Sequence, residues 1–144
     1  MEEKYGRLYL DGKLSYPRDI MGKYVSEGQT ITVIIRGNER HKPPHFHLSS
    51  ESGDLKCCVG IYEPIYVPHK KFKSRLSEQQ IEDMVKWLLQ HEENLYHTGL
   101  NSFNNWVEIR EFWNAIEGNR IQPEREEFIH SIQFPDYSKL NGGK

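Results

Sequence analysis

The first half of the chain alternates apolar and polar residues, whereas the second half repeats apolar residues every three or four positions. Alternation is typical of β-strands with one buried face, and the longer spacing is typical of amphipathic helices. Alternation on both sides of Asp11-Gly12 predicts a β-hairpin, and a looser segment follows to about Gly28. A strand is predicted over 29–37, central in its sheet because apolar residues occupy both of its faces.

Two further strand-like runs, HFHLSS and DLKCCVGIY, flank ESG and predict an antiparallel hairpin. If the loop is short and even, paired residue numbers sum to 103, so that His45 faces Cys58 and His47 faces Lys56. The apolar residues of the hairpin then share the other face: Phe46, Leu48, Leu55 and Cys57. This register predicts one apolar face and one face with reactive side chains.

Two helices are predicted in the second half. Ser77 is a candidate N-cap with Gln80 three residues later, and an apolar stripe then runs to Leu95 before Gly99. The second helix is expected to begin near Asn101–Ser102 and to end near Gly118. Its apolar face would comprise Phe103, Trp106, Ile109, Trp113 and Ile116.

These elements predict an α+β domain, in which a small, mainly antiparallel sheet packs against the two consecutive helices. Residues 1–118 are expected to form this single domain. Residues 119–144 would be a C-terminal extension that packs on the domain or binds a partner.

Composition favours a folded protein, because aromatic residues make up 12% of the 144 positions although the mean hydropathy is only −0.78. The net charge of −2 is unevenly distributed: residues 1–76 hold 13 Lys and Arg against 9 Asp and Glu, whereas residues 77–144 hold 6 against 12. A basic first half can favour an anionic partner. The acidic N-terminus has no long apolar run, so we expect a cytoplasmic protein with no membrane association.

Three histidines, His41, His45 and His47, surround the pair Pro43-Pro44. In an extended strand His45 and His47 lie on one face, about 6.5–7 Å apart. His41 can join them only if the chain turns sharply at the prolines, because a polyproline-like path from His41 to His45 covers roughly 12 Å. The pattern therefore predicts a two-histidine surface with a conditional third member.

This surface supports three hypotheses. In a metal-binding protein or a metal-dependent enzyme with a His-x-His site, a transition metal such as zinc would take ligands from His41, His45, His47 and Cys58. A metal-independent phosphodiesterase or RNase-like enzyme would use His45 and His47 as general acid and base. A polar sheet surface or protein interface is the third hypothesis.

Basic residues on both sides of the hairpin could hold phosphate, RNA, a nucleotide or another partner. These candidates are Arg36, Arg40, His41, Lys42, Lys56, His69, Lys70, Lys71, Lys73 and Arg75. Neither the substrate nor the oligomeric state follows from the sequence.

The segment HKPPHFHL resembles the His-x-Pro-Pro-His-Phe-His signature of a family of small bacterial proteins classed as a domain of unknown function. The resemblance covers roughly residues 29–110. It implies a short cytoplasmic protein, often encoded beside a second small protein in toxin–antitoxin-like pairs. The expected function is therefore that of an accessory protein in a toxin–antitoxin or phage-defence-like system, with a protein partner encoded nearby.

Overall fold

The computed structural model describes residues 18–36, 43–90, 104–115 and 133–142. Within these ranges four strands are followed by two α-helices and a short 3₁₀ helix. The elements are β1 (Arg18–Ser26), β2 (Gln29–Arg36), β3 (His45–Ser50), β4 (Lys56–Gly60), α1 (Glu78–Leu88), α2 (Asn105–Ala115) and the 3₁₀ helix Tyr137–Lys139. The α+β prediction is confirmed.

The four strands form one antiparallel sheet in the order β1-β2-β3-β4, so β2 is an interior strand as predicted. The expectation of a looser segment up to Gly28 is wrong, because 18–26 form β1. Glu27 and Gly28 make the connecting turn with positive φ angles of 52° and 78°, the backbone that a two-residue hairpin turn requires. The hairpin predicted around Asp11-Gly12 lies outside the described residues.

Pairing between β3 and β4 is shifted by two residues from the predicted register. His47 faces Cys58, and His45 faces Gly60. The loop contains four residues rather than two, because Ser50 Oγ accepts a hydrogen bond from the Leu55 N–H at 3.0 Å and Gly53 turns the chain with a φ of 85°. A shift of two preserves the faces, so the predicted separation of apolar and reactive sides remains correct.

Helix α1 covers the apolar face of the sheet. The predicted capping box is present, since the side chains of Ser77 and Gln80 each accept from the other residue's backbone N–H. Trp87 packs directly over Gly22 of β1, where any Cβ atom would clash with the indole ring. The helix ends at Leu88, earlier than predicted, and Leu95 and Gly99 lie outside the described residues.

Helix α2 begins at Asn105, later than predicted, and Asn104 caps it: its Oδ1 accepts from the Val107 N–H at 2.9 Å. Trp106, Ile109 and Trp113 are buried as the apolar stripe predicts. Phe103, Ile116 and the predicted end near Gly118 lie outside the described residues.

The C-terminal segment 133–142 packs on the same core. Tyr137 is 1% exposed, and its hydroxyl donates to the carbonyl oxygens of Gly60 at 2.5 Å and Ile61 at 3.1 Å. Asn141 donates to the Leu76 carbonyl at 2.7 Å. This segment therefore supports the end of β4 that lies opposite His45. Neither helix among the described residues has the length and apolar character needed to cross a membrane.

Candidate metal centre

Strands β3 and β4 bring two imidazoles and one thiol together on the sheet face opposite the apolar core. His45 and His47 are two positions apart on β3 and share this face, and Cys58 lies directly across from His47. The exposed fractions of the three side chains are 0%, 0% and 1%. The predicted same-face pair thus acquires Cys58 as a buried neighbour.

The separation between Cys58 and His47 matches that of ligands on one tetrahedral ion, and the third ligand atom lies nearby. The Sγ atom of Cys58 lies 3.4 Å from Nδ1 of His47, and one potential ligand atom from each of the three residues falls within 4.8 Å of the others. Bonds of roughly 2.3 Å to sulfur and 2.0–2.1 Å to nitrogen place tetrahedral ligand atoms about 3.5 Å apart. Two imidazoles on such an ion have ring centroids about 5 Å apart. The His45 and His47 centroids are separated by 5.1 Å.

His45 is oriented by the proline pair. Its Nδ1 atom lies 2.8 Å from the carbonyl oxygen of Pro43, which can only accept a hydrogen bond. Nδ1 therefore donates to this carbonyl, and in the neutral ring the lone pair is on Nε2. A backbone carbonyl that fixes one imidazole nitrogen while the other binds the ion is a common arrangement around metal-bound histidine. Pro43 thus has a role in the site beyond the turn that its ring favours.

A loop of the chain covers the histidine face. We call residues 68–73 the strap; it is anchored where the Val67 N–H bonds the Cys58 carbonyl at 2.9 Å and the Ser74 N–H bonds the Lys56 carbonyl at 2.8 Å. Within the strap, the Phe72 ring lies perpendicular to the His47 ring, with centroids 4.9 Å apart. His69 stacks on Phe72 at 4.5 Å. The strap therefore excludes water from His47.

Helix α2 contributes a second wall. The Trp113 ring lies 5.3 Å from His45, centroid to centroid, and is 1% exposed. Trp113 was predicted as a core residue on the apolar stripe, but not as a neighbour of the histidines. Its position depends on how α2 crosses the sheet, which a helical stripe does not specify.

The adjacent cysteines have different environments. Cys57 points into the apolar core, whereas Cys58 points toward the histidines. Burial, with a smaller contribution from Cys58, raises the pKa of the Cys57 thiol to about 12. The alternation of strand faces therefore selects Cys58 as the ligand candidate, as the sequence predicted.

The structure brings only part of the predicted basic group to the histidines. The Arg36 guanidinium and the Lys56 ammonium lie 5.4 and 5.9 Å from the Phe72 centroid. Arg75 instead lies over Tyr66, with its Cζ atom 4.6 Å from that ring centroid. The other basic candidates on the strap have exposed side chains: Lys70, Lys71 and Lys73. Arg40, His41 and Lys42 lie outside the described residues.

Helix α2 also buries two charged side chains that are not among the site residues predicted from the sequence. Arg110 is 0% exposed, and its Cζ lies 4.6 Å from the Trp106 ring centroid. Glu108 is 3% exposed, and burial, followed by repulsion from Glu111, raises its pKa to about 8. Glu108 and Arg110 flank Ile109 of the predicted apolar stripe, but the same helix carries the less buried Glu111, so no signal in the sequence distinguishes them.

A cavity of about 700 Å³ lies between α1 and the C-terminal segment. Its walls include Ile81, Val85 and Phe134, with Glu78 and Glu82 on α1. It contains none of the sequence-predicted site residues, so we locate the candidate chemistry at the histidine cluster instead.

Residues 30–98 match the family model described as Domain of unknown function (DUF4160). The match is somewhat less than half of the chain, but it includes β3, β4 and the strap. No curated protein and no solved structure matches the chain. The family match agrees with the expected resemblance to a domain of unknown function, while the association with a paired gene stays a prediction.

Proposed function

We propose that this protein binds a transition metal through His45, His47 and Cys58. The observation that carries the proposal is their burial as one cluster, with Cys58 Sγ 3.4 Å from His47 Nδ1. Two imidazoles and a thiolate are soft or borderline ligands, which favour zinc, copper or iron over magnesium or calcium. Zinc fits these ligands, because its bonds to sulfur and nitrogen agree with the 3.4 Å separation of Cys58 Sγ and His47 Nδ1.

The competing explanation for the 3.4 Å contact is a hydrogen bond between a neutral thiol and an imidazole. Such a bond would account for Cys58 and His47, but not for His45, whose Nδ1 is oriented by Pro43. Metal binding accounts for all three residues, since each then contributes a lone pair to one centre. Binding would release the Cys58 proton, and hence would weaken in acid.

Elemental analysis of the untagged protein, with substitutions on both faces of β4, tests the proposal. We expect about one ion per chain in the wild type, as for a single site. Cys58→Ala and His47→Ala should lose it. Cys57→Ala is the matched control, because it removes the neighbouring thiol from the core face and should retain the ion. Equal metal content in Cys58→Ala and the wild type would refute this ligand set.

A second candidate function is binding of an anionic partner, such as RNA or a nucleotide, at the strap. It is supported by the exposure of Lys70, Lys71 and Lys73 and by the position of Arg36 and Lys56 around Phe72. Phosphate contacts of this kind weaken steeply with salt.

Titration of labelled RNA at two salt concentrations tests this second function. We expect replacement of the three strap lysines by Ala to weaken binding and to reduce its salt dependence. Removal of Lys23, Lys86 and Lys139, which lie on other elements, is the control and should have a smaller effect. Equal losses in both sets would argue against the strap.

The remaining hypotheses concern catalysis and cellular context. A metal-independent acid/base enzyme would need substrate to reach His45 and His47, both of which are 0% exposed. The structure therefore gives this hypothesis less support than metal binding. A role in a toxin–antitoxin or phage-defence-like system, with a partner encoded nearby, stays a prediction that isolation of co-purifying proteins would test.

A further inference from the structure

We propose that His69 is a fourth ligand of the same centre, supplied by the strap; this inference rests on the proposed metal binding. Three protein ligands leave one position of a four-coordinate site to be filled. Among the residues that the structure describes, the cluster contains only His45, His47 and Cys58, so neither a carboxylate nor, in its present position, His69 belongs to it. His69 provides a further imidazole, and its ring centroid lies 5.8 Å from that of His47.

The distance is close to that required for shared coordination. Two imidazoles on one tetrahedral ion have centroids about 5 Å apart. His45 and His47 are already at 5.1 Å, so His69 needs to move by only about 1 Å relative to His47 to match this spacing. The strap has six residues between anchors on Cys58 and Lys56, which allows such a shift while the strands stay in place.

His69 makes a hydrogen bond within the strap that it would lose on binding a metal. Its Nδ1 accepts from the Lys71 N–H at 3.0 Å, so the proton of the neutral ring is on Nε2. To bind an ion through Nε2, the ring takes the other neutral tautomer, with its proton on Nδ1. The Lys71 N–H would then donate its hydrogen bond to water instead of to His69. His69 would therefore exchange a bond within the strap for a bond to the metal.

This exchange would couple the ion to the basic surface. His69 and Phe72 are stacked, and both belong to the strap that carries Lys70, Lys71 and Lys73. Coordination by His69 would restrict the strap to one conformation and would hold these lysines in a fixed arrangement. Occupancy of the metal site would thus regulate binding of an anionic partner at the strap.

X-ray absorption spectroscopy of the zinc-loaded full chain counts the ligands directly. We expect one sulfur and three imidazoles in the wild type, and the loss of one imidazole in His69→Ala. Competition with a chromophoric chelator should show at least about tenfold weaker zinc binding in that variant. Lys70→Ala changes the same strap without removing a ligand, and should retain three imidazoles and wild-type affinity.

His41→Ala separates this inference from the earlier prediction that His41 binds metal. If His41→Ala loses an imidazole and His69→Ala does not, the fourth ligand is His41 and the inference is wrong. Two imidazoles in the wild type, unchanged in His69→Ala, would also overturn it while leaving the three-residue site intact. A wild-type chain that takes up no zinc would instead refute the proposed function itself.

Discussion

Replacement of Tyr137 by Phe should destabilise the protein by removing one hydroxyl that connects the C-terminal segment to the sheet. The hydroxyl donates to the carbonyl oxygens of Gly60 and Ile61, and the ring is 1% exposed. The carbonyl of Ile61 keeps a second donor, since Trp106 Nε1 lies 2.9 Å from it. The main loss therefore falls on Gly60, the residue opposite His45.

The expected loss of unfolding free energy follows from the loss of the donor at the Gly60 carbonyl. Depriving a buried carbonyl of its hydrogen-bond donor costs about 1–3 kcal/mol, and the Phe ring preserves the packing. At roughly 4 °C per kcal/mol for a chain of this size, the melting temperature should fall by roughly 4–12 °C. Burial raises the pKa of Tyr137 above its ordinary value, so the hydroxyl remains a donor throughout neutral pH and the loss should not depend on pH.

Urea unfolding followed by circular dichroism measures this loss. Tyr66→Phe is the matched control: its half-buried hydroxyl donates to Asn141 and accepts from the Leu76 N–H, both at 2.8 Å. We expect a smaller loss of about 0.5–1.5 kcal/mol there, because water can replace the hydroxyl. A Tyr137→Phe variant as stable as the wild type would show that the C-terminal segment does not support the sheet.

Three further predictions address pH, access and packing. Glu108→Gln should stabilise the protein by roughly 2–4 kcal/mol at pH 8 but little at pH 5. The native pKa of Glu108, about 8, lies above its pKa in the unfolded chain, so stability is lost as the pH rises toward the native pKa. Urea unfolding that shows an equal effect at both pH values would contradict this. Phe72→Ala should accelerate removal of bound zinc by a chelator, since Phe72 covers His47; an unchanged stopped-flow rate would exclude Phe72 as the barrier. Gly22→Ala should cost about 1–3 kcal/mol by forcing Trp87 to move, as measured by thermal unfolding, and a stable variant would show that the ring can be displaced at little cost.

The same-face relation of His45 and His47 could be predicted from the sequence because strand alternation depends only on local geometry. The β4 residues that face His45 and His47 could not be predicted in the same way. The loop between β3 and β4 could hold two or four residues, and only the contacts of Ser50 with Leu55 select four. The predicted faces of the two strands are therefore correct, whereas the predicted pairing differs from the observed one by two residues.

Strand β1 could not be predicted from the sequence for a different reason. Its sequence contains Gly22 and exposes Lys23 and Val25, so the apolar alternation that marks a strand is weak. The pairing register shifts between Ile20 and Gly22. Trp87 fills the space above Gly22, and this contact links residues far apart in the chain. A pattern of neighbouring residues carries no signal for such packing.

Burial of the histidine face also depends on distant parts of the chain. Phe72 and Trp113 reach His47 and His45 from the strap and from α2. From the strand alone the histidines could equally belong to a polar surface, which was one of the sequence hypotheses. The enclosure by aromatic rings supports the buried metal centre over that surface.

Absorption spectroscopy of the protein reconstituted with cobalt(II) tests the central claim most directly, because it detects the metal, its thiolate ligand and its geometry together. We predict a thiolate-to-cobalt charge-transfer band and the intense visible bands of tetrahedral cobalt, at about one ion per chain. Both features should persist in Cys57→Ala and disappear in Cys58→Ala. A wild-type spectrum with no charge-transfer band, or one that Cys58→Ala leaves unchanged, would contradict a metal centre formed by His45, His47 and Cys58.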